Sequence, residues 1–313
     1  MKTLYDYLTM SNDDKFSQFM ATRFPTNRTP QYWVNWNKVA TNVDKNRSAI
    51  QNLYSLVHND NPEQTARDLF LNDPNLLKLI PVLLATREQD ISVLTINEQT
   101  KQLGHYELNF QQPDIKQLDH YLNFIHESGL FDFIRTLDSS LIDYLAGIEV
   151  GLDSNGRKNR GGTMNENILE NTLQNLVSKS GWKYQVQATG SAIHNNWGIH
   201  VPEVLKAGAR GGRRYDGAVY NPDRDEVTII ETNFYGGGGS KLKAVAGEFS
   251  SLYETSLKFA RHVNFAWISD GPGWDTAQNP MREAFDVIPT IFNLQMVEDG
   301  YLHDLIRDGL NPA

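Results

Sequence analysis

The 313-residue chain contains no cysteine. This absence excludes a disulfide scaffold, a zinc–thiolate site and a thiol nucleophile, and it favours a reducing compartment such as the cytoplasm. Long hydrophobic runs are also absent. Lys78 and Pro81 interrupt the longest apolar stretch, residues 76–85, which is too short to span a bilayer. The first residues lack the apolar segment of a signal peptide, so we expect a cytoplasmic protein without a membrane segment.

Positive charge is scarce, because 29 lysines and arginines face 38 aspartates and glutamates and the formal net charge is −9. An acidic chain ordinarily argues against a nucleic-acid partner. Residues 151–216 differ, since they contain nine basic and five acidic residues. A basic patch on an acidic body can bind a polyanion while the remaining surface repels it. The simpler alternative is that these basic, glycine-rich segments are solvated connectors.

Hydrophobic periodicity divides the chain near residue 148. Residues 1–148 show mostly helical spacing, with one β-rich run at residues 91–96. The polar, glycine-rich and basic segment 151–163 that follows predicts a loop. Residues 149–313 then alternate between helical and β-rich runs, which predicts an α/β core. The predicted strands are residues 183–189, 215–220, 227–233 and 262–269, and the predicted helices include residues 163–178, residues 276–285 and the segment after the glycines at 236–239.

The sharpest local feature is a pair of carboxylates on two neighbouring β-rich runs. The runs flank the turn sequence NPD at residues 221–223, so they predict a hairpin. If the hairpin pairs symmetrically about residues 223–224, Asp216 lies beside Glu231 with their Cβ atoms roughly 5 Å apart. Two such carboxylates repel each other unless a cation lies between them. The alternative is a hairpin with two solvent-facing acids, although the apolar residues before Glu231 argue against it.

A divalent cation would suit this pair. Mg²⁺ binds one or two protein carboxylates together with water and phosphate oxygens, and such an ion can activate water and neutralise charge on a phosphodiester. Glu166 could join the site, because helical spacing places it on the same inward face as Leu173. The motif Thr163-x-x-Glu166 is also a capping box, which would explain this glutamate without a metal. Both interpretations of Glu166 stay open.

A run of glycines at residues 236–239 precedes Ser240 and Lys241. It is not a Walker A loop, because a leucine follows the lysine where that motif needs serine or threonine. The glycines allow a close backbone approach, and Ser240 could cap the following helix. Lys241 and Lys243 lie at similar angles from the apolar face of that helix. Either lysine could reach a phosphate near Glu231, or both could be ordinary surface residues.

The carboxylate pair has the spacing of a known motif. Asp216, followed at the end of the next strand by Glu231-x-Asn233, resembles the PD-(D/E)xK nuclease motif with its final lysine replaced. Three blocks, GLDSNGRKNRGGTMNENILE, RRYDG and IETNFYGGGGSKLKAVAGE, together resemble the MboI/DpnII family of type II restriction endonucleases. The resemblance implies a restriction-endonuclease-like α/β core, with a central mixed β-sheet flanked by helices, over residues 149–313. A mostly helical N-terminal region, residues 1–148, would pack on that core.

The resemblance also implies an activity and its partners. It implies Mg²⁺-dependent double-strand cleavage of duplex DNA at GATC, blocked by adenine methylation. A homodimer would act, because a palindromic site matches a two-fold protein in which each subunit reads one half. Asp216 and Glu231 would be the metal ligands, and Glu166 would be the helix carboxylate that joins them.

Asn233 is a departure from the motif, because it stands where the catalytic lysine is expected. An amide cannot carry the positive charge of a lysine. We therefore expect Lys241, with Lys243 second, to take over this role. If neither lysine reaches the site, water activation would depend on the metal alone.

Residue types in two predicted loops, 153–160 and 194–214, suit contacts with DNA. Guanine is best read by arginine or lysine, and adenine by asparagine or glutamine. The candidates are Asn155, Arg157, Lys158, Arg160, Asn195, Asn196, Arg210, Arg213 and Arg214. Two other functions remain as alternatives. One is a repair or junction nuclease without sequence specificity, and the other is a non-catalytic DNA-binding protein with structural acids.

Overall fold

The computed structural model describes residues 3–96, 99, 102–138, 140–202, 212–258 and 260–310. The chain forms two compact units. Met1–Thr29 and Asn159–Ala313 form one, here called the sheet unit, and Pro30–Lys158 form the other, here called the helical unit.

The described residues form fourteen α-helices and seven strands. In chain order the α-helices are α1 (Leu4–Leu8), α2 (Asn12–Ala21), α3 (Trp36–Asn52), α4 (Pro62–Asn72), α5 (Ile80–Leu83), α6 (Leu118–Glu127), α7 (Leu130–Arg135), α8 (Leu141–Ser154), α9 (Arg157–Ser178), α10 (Gly190–Trp197), α11 (Ser240–Leu252), α12 (Gln278–Phe285), α13 (Leu294–Glu298) and α14 (Tyr301–Asp308). The strands are β1 (Asp90–Ile96), β2 (Leu103–Asn109), β3 (Lys183–Thr189), β4 (Arg214–Asn221), β5 (Glu226–Phe234), β6 (Val263–Asp270) and β7 (Ile291–Phe292). Short 3-10 or π segments are Pro30–Tyr32, Leu53–Leu56, Pro74–Leu79, Ile115–Gln117, Tyr253–Leu257 and Pro272–Thr276.

The sheet unit is built on a five-stranded mixed sheet with the strand order β3-β4-β5-β6-β7. β3, β4 and β5 are antiparallel neighbours, whereas β6 and β7 continue the sheet in parallel. β6 is buried along its whole length, and β5 is buried over residues 227–231. Such continuous burial is typical of central strands that are covered on both faces. The predicted α/β fold with a central mixed sheet and flanking helices is confirmed.

The β4–β5 hairpin has the register that its turn predicts. Pairing begins at Asn221 opposite Glu226 and keeps the same register through all five pairs of the ladder. Buried Asn221 fixes the turn. Its Nδ2 donates to the carbonyl oxygen of Ile306 at 2.8 Å, and its Oδ1 accepts from the backbone N–H of Asp223 at 3.0 Å. The predicted hairpin and its register are therefore confirmed.

Two helices pack on opposite faces of the five-stranded sheet. Under α9, a Cβ on Gly217 of β4 would lie 3.1 Å from Leu173 Cδ1, so glycine permits the close approach. Phe249 of α11 packs edge-on against Trp267 of β6, with ring centroids 5.1 Å apart. Gly217 pairs with Ile230, whereas Trp267 pairs with the next residue of β5. Because side chains alternate along a strand, α9 and α11 cover different faces.

The loop predicted over residues 151–163 is wrong, because these residues are mostly helical. α8 ends at Ser154 and α9 begins at Arg157, so only two residues connect the helices. Glycines inside a helix cost roughly 1 kcal/mol each relative to alanine, which is why the composition predicts a loop. Tertiary contacts offset this cost. One of them is the hydrogen bond of 3.2 Å from the side-chain amide of Asn27 to the carbonyl oxygen of Gly161.

The two predicted helix caps are also corrected. The motif Thr163-x-x-Glu166 lies inside α9 and is not a capping box, because the helix begins at Arg157. The N-cap of α11 is Gly239, at φ +146°, and Ser240 is the first helical residue. Glycine adopts this backbone conformation without the steric penalty of a side chain. Gly239, at the end of the glycine run, therefore allows the chain to turn sharply into α11.

The first two helices belong to the sheet unit. Tyr7 of α1 packs against Tyr301 with ring centroids 5.2 Å apart, and Phe19 of α2 packs against Phe285 at 5.5 Å. Composition places a boundary near residue 148, but packing joins the first 29 residues to the sheet unit, because their buried aromatic side chains complete its core. That residues 1–148 form a mostly helical region packed on the core stays a prediction.

The helical unit has its own core and contains the two-stranded sheet β1–β2. The predicted strand at residues 91–96 is present as β1. Glu149 of α8 is only 2% exposed, and its Oε2 accepts from Arg87 Nη2 at 2.7 Å and from Asn42 Nδ2 at 2.6 Å. Its buried charge is thus paired and hydrogen-bonded, as stability requires. Within the described part of the chain, no helix is long and apolar enough to cross a membrane.

Asp270 ties three backbone segments together at the end of β6. Its Oδ1 accepts from the N–H groups of Phe24 at 2.8 Å and Gly271 at 2.6 Å, and its Oδ2 accepts from that of Leu294 at 2.9 Å. We expect Asp270→Ala to lower the free energy of unfolding by about 3 kcal/mol, because three backbone N–H groups, that of buried Gly271 among them, lose a charged acceptor. Urea unfolding measures this loss. Asp223→Ala, at an exposed turn position, is the control and should change stability by less than about 0.5 kcal/mol; equal losses would contradict the role of Asp270.

Candidate active site

Asp216 and Glu231 lie at the open end of the β4–β5 hairpin, one residue beyond the last pair of the ladder. Glu231 is 6% exposed, and Asp216 is half-buried. The Oδ2 of Asp216 accepts from the backbone N–H of Thr232 at 2.8 Å, which fixes that carboxylate against β5. The structure thus brings together the two carboxylates that the hairpin pattern predicts to be neighbours.

Burial raises the pKa of both carboxyl groups. The pKa of Glu231 rises to about 7, and the negative charge of Asp216 adds to this rise while Arg213 opposes it. The pKa of Asp216 is also raised by burial; the hydrogen bond from Thr232 opposes the rise, and the charge of Glu166 adds to it. Clustered, buried carboxylates with raised pKa values are typical of sites that hold a cation or a proton.

Arg213 places its guanidinium group between two carboxylates. Its Nε and Nη2 both lie 2.8 Å from Oε1 of Glu231, and its Nη1 lies 2.8 Å from Oε1 of Glu248. The guanidinium carbon also lies 5.4 Å from the ring centroid of Phe249. The residue types of the segment 194–214 predict Arg213 as a DNA contact. In this structure its guanidinium group instead forms ion pairs with Glu231 and Glu248.

Glu166 lies on α9 and is exposed, so the predicted inward orientation is wrong. The buried face of α9 contains Asn165, one residue before Glu166. Asn165 is 6% exposed, and its side-chain amide donates to Oγ1 of Thr232 at 2.8 Å. Glu166 is nevertheless close enough for its charge to raise the pKa of Asp216. Its part in a metal site stays a prediction.

The donor set of the site suits a hard divalent cation. No group of three or more His, Asp or Glu side chains in the described residues is arranged to hold a metal ion. Two carboxylates are nonetheless sufficient, since Mg²⁺ is usually bound by one or two carboxylates plus water and phosphate oxygens. The guanidinium on Glu231 shows that this position attracts positive charge.

Asn233, at the position of the motif lysine, is held by its neighbours on β6. Its Oδ1 accepts from Oγ of Ser269 at 2.6 Å and, at 3.4 Å, from Nε1 of Trp267. The amide therefore contributes to the packing of the sheet. Lys241 and Lys243 are both exposed on the first turn of α11 and form no ion pair within the described residues. Whether either lysine takes over the catalytic charge stays a prediction.

Gln187 and Glu248 also belong to the site, although sequence patterns do not single them out. Gln187 lies in β3 between the pairs that flank Asp216, and its side chain hydrogen-bonds to Asp216. Its backbone is left-handed, with φ +51°, a strained conformation that is often found at functional sites. No local pattern predicts such a conformation for glutamine. Glu248 lies at the end of the third block that resembles the restriction endonucleases, which is the one available hint.

The remaining DNA-contact candidates fall in both units. In the sheet unit, Asn195, Asn196 and Arg214 are exposed and Arg160 is half-buried. Asn196 donates to Oε1 of Gln185 at 2.9 Å. The exposed side chains of Asn195, Asn196 and Arg214 are accessible to a ligand.

Candidates in the helical unit lie around α8 and the start of α9. Asn155 is exposed. Arg157 donates from Nε to the carbonyl oxygen of Trp33 at 3.0 Å and lies over its ring, 5.7 Å from the centroid. Arg210 and the side chain of Lys158 lie outside the described residues. DNA contact by any of these side chains stays a prediction.

The raised pKa of Glu231 predicts a pH-dependent stability. Between about pH 4.5 and 7, native Glu231 keeps a proton that the unfolded chain has lost, so stability falls as pH rises. We expect the free energy of unfolding of the metal-free protein, minus that of Glu231→Gln, to fall by up to about 3 kcal/mol over this range. Urea unfolding in EDTA at a series of pH values measures this difference. A difference that stays constant or grows with pH would contradict the shift.

The sequence matches the DpnII restriction endonuclease family over residues 15–304. Type II restriction enzyme LlaDCHI from Lactococcus lactis subsp. cremoris is 42% identical over 303 residues, which cover 96% of this chain and 98% of that enzyme. Type II restriction enzyme MjaIII from Methanocaldococcus jannaschii is 34% identical over 293 residues, with 93% and 99% covered. Type II restriction enzyme DpnII from Streptococcus pneumoniae is 31% identical over 297 residues, with 95% and 100% covered. No solved structure matches the chain.

These matches extend over both compact units and include every residue of the candidate site. The relatives are type II restriction enzymes, which are site-specific deoxyribonucleases. The resemblance seen in the three sequence blocks is thereby confirmed. The chain belongs to the DpnII family of type II restriction endonucleases.

Proposed function

We propose that this endonuclease makes Mg²⁺-dependent double-strand cuts in unmethylated duplex DNA at GATC, as a homodimer in the cytoplasm. The pairing of buried Glu231 with Asp216 at the end of the hairpin carries the catalytic part of the proposal. The GATC sequence and the block by methylation rest on the resemblance of the three sequence blocks. The homodimer rests on the symmetry of a palindromic site, and the cytoplasmic location on the absence of cysteine.

Asp216 and Glu231 would hold the metal ion, with Glu166 as a third candidate. When bound, Mg²⁺ would supply an activated water and a positive charge that neutralises the phosphodiester in the transition state. Asp216 is kept in place by the backbone N–H of Thr232 and by Gln187. The two carboxylates would thus meet the ion in a preset geometry, which reduces the reorganisation that catalysis requires.

A separate positive charge is proposed for the phosphate. Asn233 cannot provide it, because it is an uncharged amide that accepts a hydrogen bond from Ser269. Lys241, with Lys243 second, is our candidate, since both lysines are exposed on the first turn of α11, which follows β5 through the glycine run. The helix N-terminus at Gly239 would add its own partial positive charge.

The alternatives of a non-specific nuclease and of a non-catalytic DNA-binding protein find no support in the comparisons. Family membership indicates site-specific cleavage of DNA. The exposed polar side chains of Asn155, Asn195, Asn196 and Arg214 remain candidates for DNA contact. Residues 151–216 favour duplex binding on this otherwise acidic chain, because their nine basic residues outnumber their five acidic ones.

Digestion of plasmid DNA tests the proposed specificity. We expect discrete fragments with GATC at their ends from unmethylated plasmid in Mg²⁺. We expect intact DNA from adenine-methylated plasmid, and from either plasmid in EDTA. Gel electrophoresis followed by sequencing of the fragment ends measures the outcome. Ends at a different sequence would contradict GATC, a smear with random ends would contradict site specificity, and cutting in EDTA would contradict the metal requirement.

Removal of one carboxylate tests the proposed catalytic site. We expect Asp216→Ala to slow cleavage at least about 10³-fold, because the metal would lose one of its two protein ligands. Duplex binding should be largely retained, since Asp216 carries a negative charge and does not attract DNA. Single-turnover cleavage of a labelled duplex and a mobility-shift assay measure the two effects. The exposed control Asp223→Ala should cut at the wild-type rate, and an equal rate for Asp216→Ala would refute the assignment.

A further inference from the structure

Arg213 binds an oxygen of Glu231, a carboxylate that the proposed function assigns to the metal ion, and the inference drawn from it rests on that function. Two of its nitrogens, Nε and Nη2, lie 2.8 Å from the same oxygen of Glu231, Oε1. The third, Nη1, lies 2.8 Å from Oε1 of Glu248. Arginine remains protonated in proteins. A permanent positive charge is thus bound to the more buried of the two candidate metal ligands.

This charge lowers the cost of burying an ionised Glu231 when no metal is bound. The Glu231 side chain is 8% exposed, and it lies beside a second carboxylate, that of Asp216. A buried carboxylate without a cationic partner is strongly destabilising. Arg213 provides that partner in the metal-free chain. A metal ion that bound the same oxygen would make the guanidinium redundant there and would repel it.

The position of Arg213 would allow its side chain to move away. It precedes β4, whose first paired residue is Arg214, so the backbone at Arg213 is not part of the ladder. Its side chain is 23% exposed, and its second partner Glu248 is 43% exposed. The guanidinium therefore reaches the buried Glu231 from the side of the more exposed Glu248. A rotation of the side chain alone would return it towards the solvent.

We propose that Arg213 is a displaceable counter-ion of Glu231: a divalent cation and the guanidinium compete for the same carboxylate, and the displaced guanidinium binds a DNA phosphate. The exchange makes one DNA contact depend on the presence of metal. It also reconciles the basic loop position of Arg213, which favours DNA contact, with the carboxylate partners that the structure shows.

Metal binding without DNA tests the competition. Mn²⁺ prefers the same oxygen ligands as Mg²⁺, and electron paramagnetic resonance measures its free concentration during a titration. We expect Arg213→Met to bind Mn²⁺ about tenfold more tightly than the wild type, a typical size for a coupling between two ligands. Arg214→Met removes the same charge from the next, exposed position, and should alter the affinity less than about twofold.

Further variants make the result independent of misfolding. Circular dichroism checks that Arg213→Met is folded. Arg213→Lys keeps the charge but cannot donate to Glu231 and Glu248 with one planar group, so its Mn²⁺ affinity should lie between those of the wild type and Arg213→Met. Glu231→Gln should abolish the tight binding in either background.

The outcomes separate the two proposals. Mn²⁺ binding that does not change in Glu231→Gln would overturn the metal site of the proposed function. Binding that depends on Glu231 but is equal in Arg213→Met and Arg214→Met would overturn the counter-ion role and leave the metal site intact. Weaker binding in Arg213→Met would also overturn it, because Arg213 would then help to hold Glu231 for the metal.

The salt dependence of DNA binding tests the second half of the proposal. Fluorescence anisotropy with a GATC duplex in Ca²⁺, with a gel to show that the duplex stays intact, gives the slope of log affinity against log salt. In Ca²⁺ we expect this slope to be steeper by about one for the wild type than for Arg213→Met, which is the effect of one phosphate contact. Without metal the two slopes should agree. Equal slopes in Ca²⁺ would overturn the phosphate contact.

Discussion

The pairing of β4 with β5 in a single register determines which side chains meet at the candidate site. Side chains alternate along a strand, so a slip of one residue in either strand would turn Asp216 or Glu231 to the opposite face of the sheet. The hydrogen bond from buried Asn221 to the carbonyl oxygen of Ile306 holds the turn against such a slip. The same register places Gly217 under α9, where the missing side chain lets that helix pack closely on the other face of the sheet.

The electrostatics of the site follow from this placement. A central strand such as β5 is buried, so a carboxylate on it loses most of its contact with water, and the pKa of Glu231 rises to about 7. The chain lowers the cost with a guanidinium group on Glu231 and with the hydrogen bonds that Thr232 and Gln187 give to Asp216. The carboxylates of the site therefore favour the binding of a cation, and metal-dependent hydrolysis of a phosphodiester requires a bound cation.

Local patterns predicted the fold best where a single element or turn decided the outcome. The strand β3, the hairpin β4–β5 and the helix after the glycine run all lie where alternation, turn residues and helical spacing place them. Predictions failed where distant contacts compete with composition. The start of α9 looks like a loop because of Gly161 and its neighbours, yet contacts such as the one with Asn27 keep it helical. Tyr7 and Phe19 likewise join the sheet unit through aromatic partners near the other end of the chain.

For the site itself, the sequence alone determined that Asp216 and Glu231 are neighbours, because the turn and the period of two fix which residues share a face. It also indicated the family, through three ordered blocks. Only the tertiary structure decided the partners of those carboxylates. Arg213 meets Glu231 and Glu248 because α11 packs over β6 through Phe249 and Trp267. Such contacts depend on how whole elements pack, so the local periodicity of the sequence does not predict them.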